Sequence, residues 1–341
     1  MNKKAMSLAA GILLCTSLIV SGCGGGNTAS SGAAQVDTEA TYSFKLTHVT
    51  QPSHIWHRTA EKFNEELQQR SNGRMKVDLF PASQLGTEKD MVQQIQSGSI
   101  EFGIITNAYM STREDAFNGW HLPFVYSDLE QAAKAKDTDA AKEILKTLDQ
   151  QGMIGLDFIL AGNRHILMKD GAVQSPEELN GKKLRVIGSP AIQDFWTTIG
   201  ASPTPMPLSE VYTSLQTGVI DGIDIDLDAL VTQKYYEIAK DLTVTNHMTF
   251  PGVVVMSKAA AEKWSPEDRK MVEDAMKAAV EWGTQEAIKG ETANLEQLKA
   301  NGVNVVELQD AEKFRAVKDQ IIETYTSKNP IIKAFYEASS Q

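Results

Sequence analysis

The sequence predicts an α/β protein of two lobes, and three observations carry the prediction. Strand-like and helix-like patterns alternate from Tyr42 onward, the mark of sheets flanked by helices. The segment Ile95-Gln96-Ser97-Gly98-Ser99-Ile100-Glu101 is matched by Leu215-Gln216-Thr217-Gly218-Val219-Ile220-Asp221 at an offset of 120 residues. From Ser265-Pro266-Glu267 the chain turns strongly helical, with Met271, Ala275, Ala278, Ala279 and Trp282 on one face. Its 341 residues suffice for about two domains.

Each element has its own signal. Tyr42–Val49 alternates as a strand. Trp56, Ala60, Phe63 and Leu67 then fall on one apolar helical face, stopped by Ser71-Asn72-Gly73. Met75, Val77 and Leu79 alternate in the next strand, a helix follows around Met91, Val92 and Ile95, and Ile100–Thr106 is an apolar strand. Ser175-Pro176-Glu177-Glu178 carries an N-cap, a proline at the first helical position and a capping-box glutamate; Gly181 ends that helix and Lys183–Ile187 is a strand. The alternation predicts parallel sheets. The repeated segment reads either as two lobes on one plan or as two similar helix-to-strand turns. On the first reading, ligand sits in the crevice where strand ends of both lobes meet.

Composition excludes several classes. Hydrophobic residues make up 42% and charged residues 23%, which suits a globular core and not disorder. The net charge is −11, and −13 without residues 1–22, which hold Lys3 and Lys4 and no acid. A body so acidic lacks the footprint of a nucleic-acid binder, and an anionic ligand needs local positive charge. Cys15 and Cys23 are the two cysteines, so the body from residue 24 onward offers no disulfide, zinc thiolate or cysteine nucleophile.

The N-terminus reads as an address. Lys3 and Lys4 precede the apolar run Leu8 to Val20, the pattern of an export signal, with a membrane-anchored helix as the alternative. Val20-Ser21-Gly22-Cys23 resembles the lipobox of bacterial lipoproteins, which implies a signal peptide over 1–22 and a lipid on Cys23. Residues 23–41, rich in Gly, Ala, Ser and Thr, read as a flexible tether.

Catalytic signatures are weak. The sequence holds no P-loop, no G-x-S-x-G, no H-E-x-x-H and no G-x-G-x-x-G after a strand, and no cofactor is expected. His54 and His57 are three apart, a spacing that suits a metal pair less well than surface or helix-start positions. The run from Asp221 to Asp228 is more distinctive. If extended, it places Asp224, Asp226 and Asp228 opposite Ile223, Ile225 and Leu227. That face is either solvated or accepts hydrogen bonds from ligand hydroxyls or an ammonium group; it lacks the glycine and glutamate of a calcium loop. Arg185 interrupts the apolar strand Leu184–Ile187, and Arg164 follows Gly162-Asn163. Each suits a salt bridge or a bidentate grip on a carboxylate.

Several motifs, in order over roughly residues 42–270, resemble the solute-binding proteins of tripartite ATP-independent periplasmic (TRAP) transporters. They include Ser71–Val77 leading to Phe80-Pro81-Ala82-Ser83-Gln84-Leu85-Gly86, His121-Leu122-Pro123-Phe124, Gly162-Asn163-Arg164 and Leu179–Val186. The densest is Pro203–Tyr212 continuing to Asp221-Gly222, followed by Gln233–Glu237 and Thr245-Asn246-His247. The resemblance implies a periplasmic-binding-protein-like fold, with a ligand cleft between lobes and a long bracing helix. Lobe I is expected over 42–161 plus 251–290, and lobe II over 162–250 plus 291–341. It implies that Arg185 pairs with a ligand carboxylate, that Arg164 assists, that Glu88 lines the cleft, and that His48 and Asn107 lie at cleft-facing strand ends. One departure stands out: where the family commonly reads D-G-Q-E-N-P, this chain has Ile225 in place of the asparagine. With Asp224 and Asp226 beside it, the expectation is a carboxylate that also carries hydroxyls, such as a sugar acid.

The function expected is capture of a small organic acid outside the cytoplasmic membrane, by a protein held there through a lipid on Cys23. The solute would pass to small and large TRAP membrane subunits, with no covalent chemistry and no nucleic acid. The alternatives are a binding lipoprotein of an ATP-driven importer or of a sensory system, and an envelope hydrolase.

Overall fold

The computed structural model describes residues 41–309 and 311–339. Residues 1–22, read as a signal peptide, Cys23 and nearly all of the segment read as a tether therefore lie outside the described residues. Ten strands form one continuous sheet in two halves. The first half orders β2 (Met75–Phe80), β1 (Tyr42–His48), β3 (Phe102–Thr106), β9 (Thr249–Ser257) and β4 (Met153–Met168). The second continues from β4 through β7 (Gly222–Asp226) and β5 (Lys183–Val186) to β6 (Ser202–Pro205). On the other flank of β4, β8 (Asp241–Val244) pairs with β10 (Asn304–Glu307).

The sheets are mixed and not wholly parallel as the alternation predicts. β9 runs antiparallel to β3 and β4, and β4 runs antiparallel to β7 and β8. The reason is β4 itself. Its 16 residues pair with β9 up to Asn163 and with β7 from Arg164 on, so one strand serves both halves. Two antiparallel segments, β4 and β9, thereby carry the chain between the lobes.

The repeat at offset 120 is structural as well as sequential. Helices Glu88–Ser97 and Leu208–Thr217 end on Gly98 and Gly218, left-handed at φ 76° and 75°. Glycine takes that conformation at no steric cost, so both turns stop alike. β3 and β7 follow, and each ends on a residue that caps the next short helix. Thr106 Oγ1 accepts from the Tyr109 N–H, and Asp226 Oδ1 from the Ala229 N–H.

Helix Ile55–Arg70 buries Trp56, Ala60, Phe63 and Leu67, the face read from the sequence. β6 holds Pro203 and Pro205 at a sheet edge, where a missing N–H costs no ladder bond. Pro176–Leu179 forms one 3₁₀ turn, and the Glu178 carboxylate accepts from the Gln174 N–H at 2.7 Å. The last helix, Pro330–Ser339, packs on residues expected in lobe I. Sequence reading gives residues 291–341 to lobe II, but Phe335 packs on Trp120 with ring centroids 4.8 Å apart, and Tyr126 donates to Ser339 Oγ. Two large aromatic rings need mutual burial, and the chain crosses back to provide it.

Helix Pro266–Ala300 runs 35 residues and lies along helix Ile55–Arg70 and against β4. Gly283 permits the approach, because a Cβ there would collide with the buried Thr59 side chain, which is fixed by donating to the Ile55 carbonyl. Gly283→Ala should therefore cost about 1–3 kcal/mol through overpacking. Thermal unfolding checks this by a Tm lowered by several degrees.

Candidate functional site

Strand ends of the two half-sheets surround a cavity of about 720 Å³, a volume suited to a small molecule. The first half supplies Thr50, His54, Trp56, Ser83, Glu88 and Thr106 to its lining. The second supplies Arg185, Ile187, Met206, Leu208, Ile225 and Asp226, and the crossing strands add Arg164 and Phe250. No helix among the described residues is long and apolar enough to cross a membrane, and none of their His, Cys, Asp and Glu side chains group to hold a metal.

Strand register brings Arg164 to its acids. In the β4–β7 ladder Arg164 lies directly opposite Asp226 and diagonal to Asp224. Residues so placed share one face of the sheet. Arg164 Nε donates to Asp224 Oδ1 at 2.6 Å, its Nη2 donates to the Asp224 carbonyl, and its Nη1 lies 3.6 Å from Asp226 Oδ2. The guanidinium also lies over the Phe250 ring, 4.5 Å from its centroid. Asp224 takes a further bond from Trp196 Nε1 at 2.7 Å. Burial pushes the Asp224 carboxyl up, but Arg164 and His247 beside it pull harder, and it stays well below the usual carboxylate range.

The alternation expected from Asp221 holds as far as Asp226, and of the two readings of the acidic face the solvated one does not hold. Asp224 and Asp226 do share a face, but that face is buried, with relative exposures of 0% and 1%. Asp228 lies beyond the strand in helix Leu227–Thr232, where its Oδ2 accepts from the Ile55 N–H at 2.7 Å.

Arg185 is handled differently. It has 1% of its surface exposed, and Nε and Nη2 both donate to the Met206 carbonyl, at 3.2 and 2.9 Å. No carboxylate among the described residues forms an ion pair with it, and burial pulls its guanidinium down to about 10. It remains a cation at neutral pH. Nη1 of Arg185 and Nη1 of Arg164 are both buried with no hydrogen-bond partner. Buried donors are nearly always paired, and each orphan costs about 1–3 kcal/mol.

Glu88 opens helix Glu88–Ser97, and its carboxylate accepts from Thr106 N at 2.6 Å and Thr106 Oγ1 at 3.1 Å. The residue is partly exposed, but its carboxyl is enclosed at the cavity wall. Burial pushes it up to about 7, against the opposing pull of Thr106 and Arg185.

Arg164, Arg185, Glu88 and Asp226 therefore line one cavity, whereas three other residues expected there lie behind its wall. His48 bonds to Thr50 and His57, Asn107 donates to the Phe117 carbonyl, and Asp224 is taken up by Arg164 and Trp196. His54 caps helix Ile55–Arg70 by accepting from the Trp56 N–H, while His57 faces inward to His48, so the two do not pair. Sequence reading misses Thr50, Trp56 and Phe250. Trp56 was legible only as part of a core face, and apolar periodicity does not separate core from cavity wall.

Residues 46–329 match the family model for bacterial extracellular solute-binding protein, family 7. The chain belongs to this family. The 2,3-diketo-L-gulonate-binding periplasmic protein of Escherichia coli is 27% identical over 87% of this chain and 92% of its own length. A solved sugar acid binding protein of Advenella mimigardefordensis, in complex with galactonate, superposes with a TM-score of 0.85. It is 25% identical and covers 88% of this chain and 98% of that one. A TRAP periplasmic solute-binding protein of Anaerococcus prevotii, with bound D-glucuronate, gives 0.83 at 27% identity over 87% and 96%. The protein is thus an extracytoplasmic solute-binding protein of the TRAP type, and its two-lobed α/β fold is the family's.

The two arginines should respond oppositely to neutral replacement. Arg164→Met strands the buried Asp224 carboxylate and should cost about 3–5 kcal/mol of stability. Arg185→Met strands no carboxylate, removes a poorly partnered buried charge, and should leave the ligand-free Tm unchanged or raised. Thermal denaturation of both variants without ligand checks the contrast.

Proposed function

We propose that this protein captures a small hydroxylated carboxylate, a sugar acid, and delivers it to the small and large membrane subunits of a TRAP uptake system. The single observation that carries the reading is the pair of orphaned guanidinium donors, Nη1 of Arg164 and of Arg185, on residues lining one cavity. Carboxylate oxygens supply what these donors lack, through charge-assisted bonds of the strong kind. Asp226 and Glu88 offer acceptors for hydroxyls on the same ligand, and Trp56, Phe250 and Ile225 offer apolar surface to the faces of a sugar ring. Ile225 stands where the family resemblance leads one to expect asparagine, so ligand choice here depends more on the adjoining Asp226, which lines the cavity. The galactonate and glucuronate bound by the structural relatives agree with this ligand class. Cys23 is proposed as the lipid attachment site that holds the protein outside the cytoplasmic membrane. The role requires binding and release alone, with no covalent chemistry.

Thermal unfolding against a panel of sugar acids, other organic acids, amino acids and neutral sugars tests the function. A ligand at about 1,000 times its Kd adds on the order of 4 kcal/mol. D-Galactonate or D-glucuronate should raise Tm and neutral sugars should not. The same shift should vanish in Arg185→Met, while a response confined to amines or neutral polyols would contradict the reading.

Affinity should also depend on pH through Glu88. Its carboxyl, at about 7 in the folded protein, lies above its ordinary value of 4.5. The folded state therefore holds this proton more tightly than the unfolded state. The stability it contributes is complete below about 4.5 and lost as pH rises through about 7. Protonated Glu88 does not repel a bound carboxylate, so affinity for a sugar acid should fall as pH climbs from about 6 to 8. Calorimetric titrations across that range check it, and Glu88→Gln should flatten the dependence.

A further inference from the structure

Thr50 is the one cavity-lining hydroxyl tied to a chain of buried imidazoles. Its Oγ1 lies 2.9 Å from His48 Nδ1, His48 Nε2 lies 3.0 Å from His57 Nδ1, and His57 Nε2 lies 3.6 Å from Glu61 Oε1. His48 is fully buried and His57 nearly so, while Glu61 reaches the surface. The backbone is fixed around them, because the Ala82 N–H donates to the Thr50 carbonyl and the Ser83 N–H to the His48 carbonyl. Burial lowers both imidazoles, His48 to about 3, so both are neutral near pH 7.

A neutral imidazole carries one N–H and one lone pair, and that rule leaves the chain two arrangements. In the first, the Thr50 hydroxyl donates to His48 Nδ1, His48 Nε2–H donates to His57 Nδ1, and His57 Nε2–H points at Glu61. In the second, every bond reverses, and the bare lone pair of His57 Nε2 faces the Glu61 carboxylate. Lone pair against anion disfavours the second. The Thr50 carbonyl, which accepts from Ala82 and keeps a second lone pair, favours a proton on His48, the opposite bias, and the tautomer spectra below decide between the two.

We infer that Glu61, His57 and His48 are positioning residues that hold the Thr50 hydroxyl as a pure hydrogen-bond acceptor toward the cavity, so that Thr50 selects a ligand presenting an O–H. The hydrogen of Thr50 is spent on His48, and two lone pairs remain for the ligand. The orphaned arginine donors grip the acid end, and Thr50 reads a hydroxyl, which discriminates a hydroxylated acid from an aliphatic one of the same charge. A site built to bond a ligand hydroxyl penalises an analogue lacking it, because its own polar atom is then left unpaired.

The binding role rests on the sugar-acid reading, whereas the orientation of the chain does not, and the test separates them. Long-range 15N–1H correlation spectra of the histidines in the ligand-free protein report the tautomers. His48 and His57 should both carry hydrogen on Nε2, and Glu61→Lys should drive both toward Nδ1. Hydrogen on Nδ1 of His48 in the unaltered protein would overturn the inference. For the binding role, Thr50→Val should weaken D-glucuronate binding at least about tenfold and Thr50→Ser should restore it. Equal affinity in Thr50→Val would remove Thr50 from recognition. If the unaltered protein binds no D-glucuronate, that ligand reading fails and the tautomers alone judge the chain.

Discussion

Burying a guanidinium costs several kcal/mol unless oxygen atoms replace the water it loses. This chain buries two beside one cavity and treats them unequally. Arg164 is held by Asp224 on the neighbouring strand, with Asp226 near, so its charge is balanced within the fold. Arg185 has one backbone carbonyl and, among the described residues, no carboxylate in an ion pair, so its charge is balanced only in part. The first arginine belongs to the architecture. The second is the arginine that, on the proposed function, a ligand anion would partner. In a body of net charge −11, an anionic ligand needs such a local deficit of negative charge.

The fold supplies the geometry by placing the ends of two similar units against each other. β3 and β7 both leave a glycine-stopped helix and both end on a capping residue, Thr106 and Asp226, at equivalent positions 120 residues apart. Thr106 also donates to Glu88, while Asp226 faces Arg164, so one plan is dressed with different chemistry on each side. β4 joins the halves, and the residue at which its partner changes from β9 to β7 is Arg164. Arg164 therefore sits where the two half-sheets meet.

Much of this was legible in the sequence because charge in an apolar strand is hard to explain otherwise. Arg185 in Leu184–Ile187 and the acids after Asp221 stood out on that ground, and the helix faces followed from period 3.6. Three things were not legible. The solvation of the acidic face depended on Arg164, which is 60 residues away in sequence and adjacent only through strand register. The antiparallel course of β4 and β9 depended on one strand serving two sheets, which local alternation does not encode. His48 and Asn107 were placed near the cavity by the family resemblance and Asp224 by strand alternation, but buried partners take up all three: Thr50 and His57, the Phe117 carbonyl, and Arg164 with Trp196.

The central claim is that the unfilled donors of Arg185 and Arg164 receive the ligand's carboxylate. A crystal structure with the tightest-binding acid of the panel tests it most directly. The account predicts carboxylate oxygens about 2.7–3.2 Å from Nη1 of Arg185 and of Arg164, with Asp224 still paired to Arg164. A ligand whose carboxylate lies elsewhere, with both Nη1 atoms still unpartnered, would contradict it.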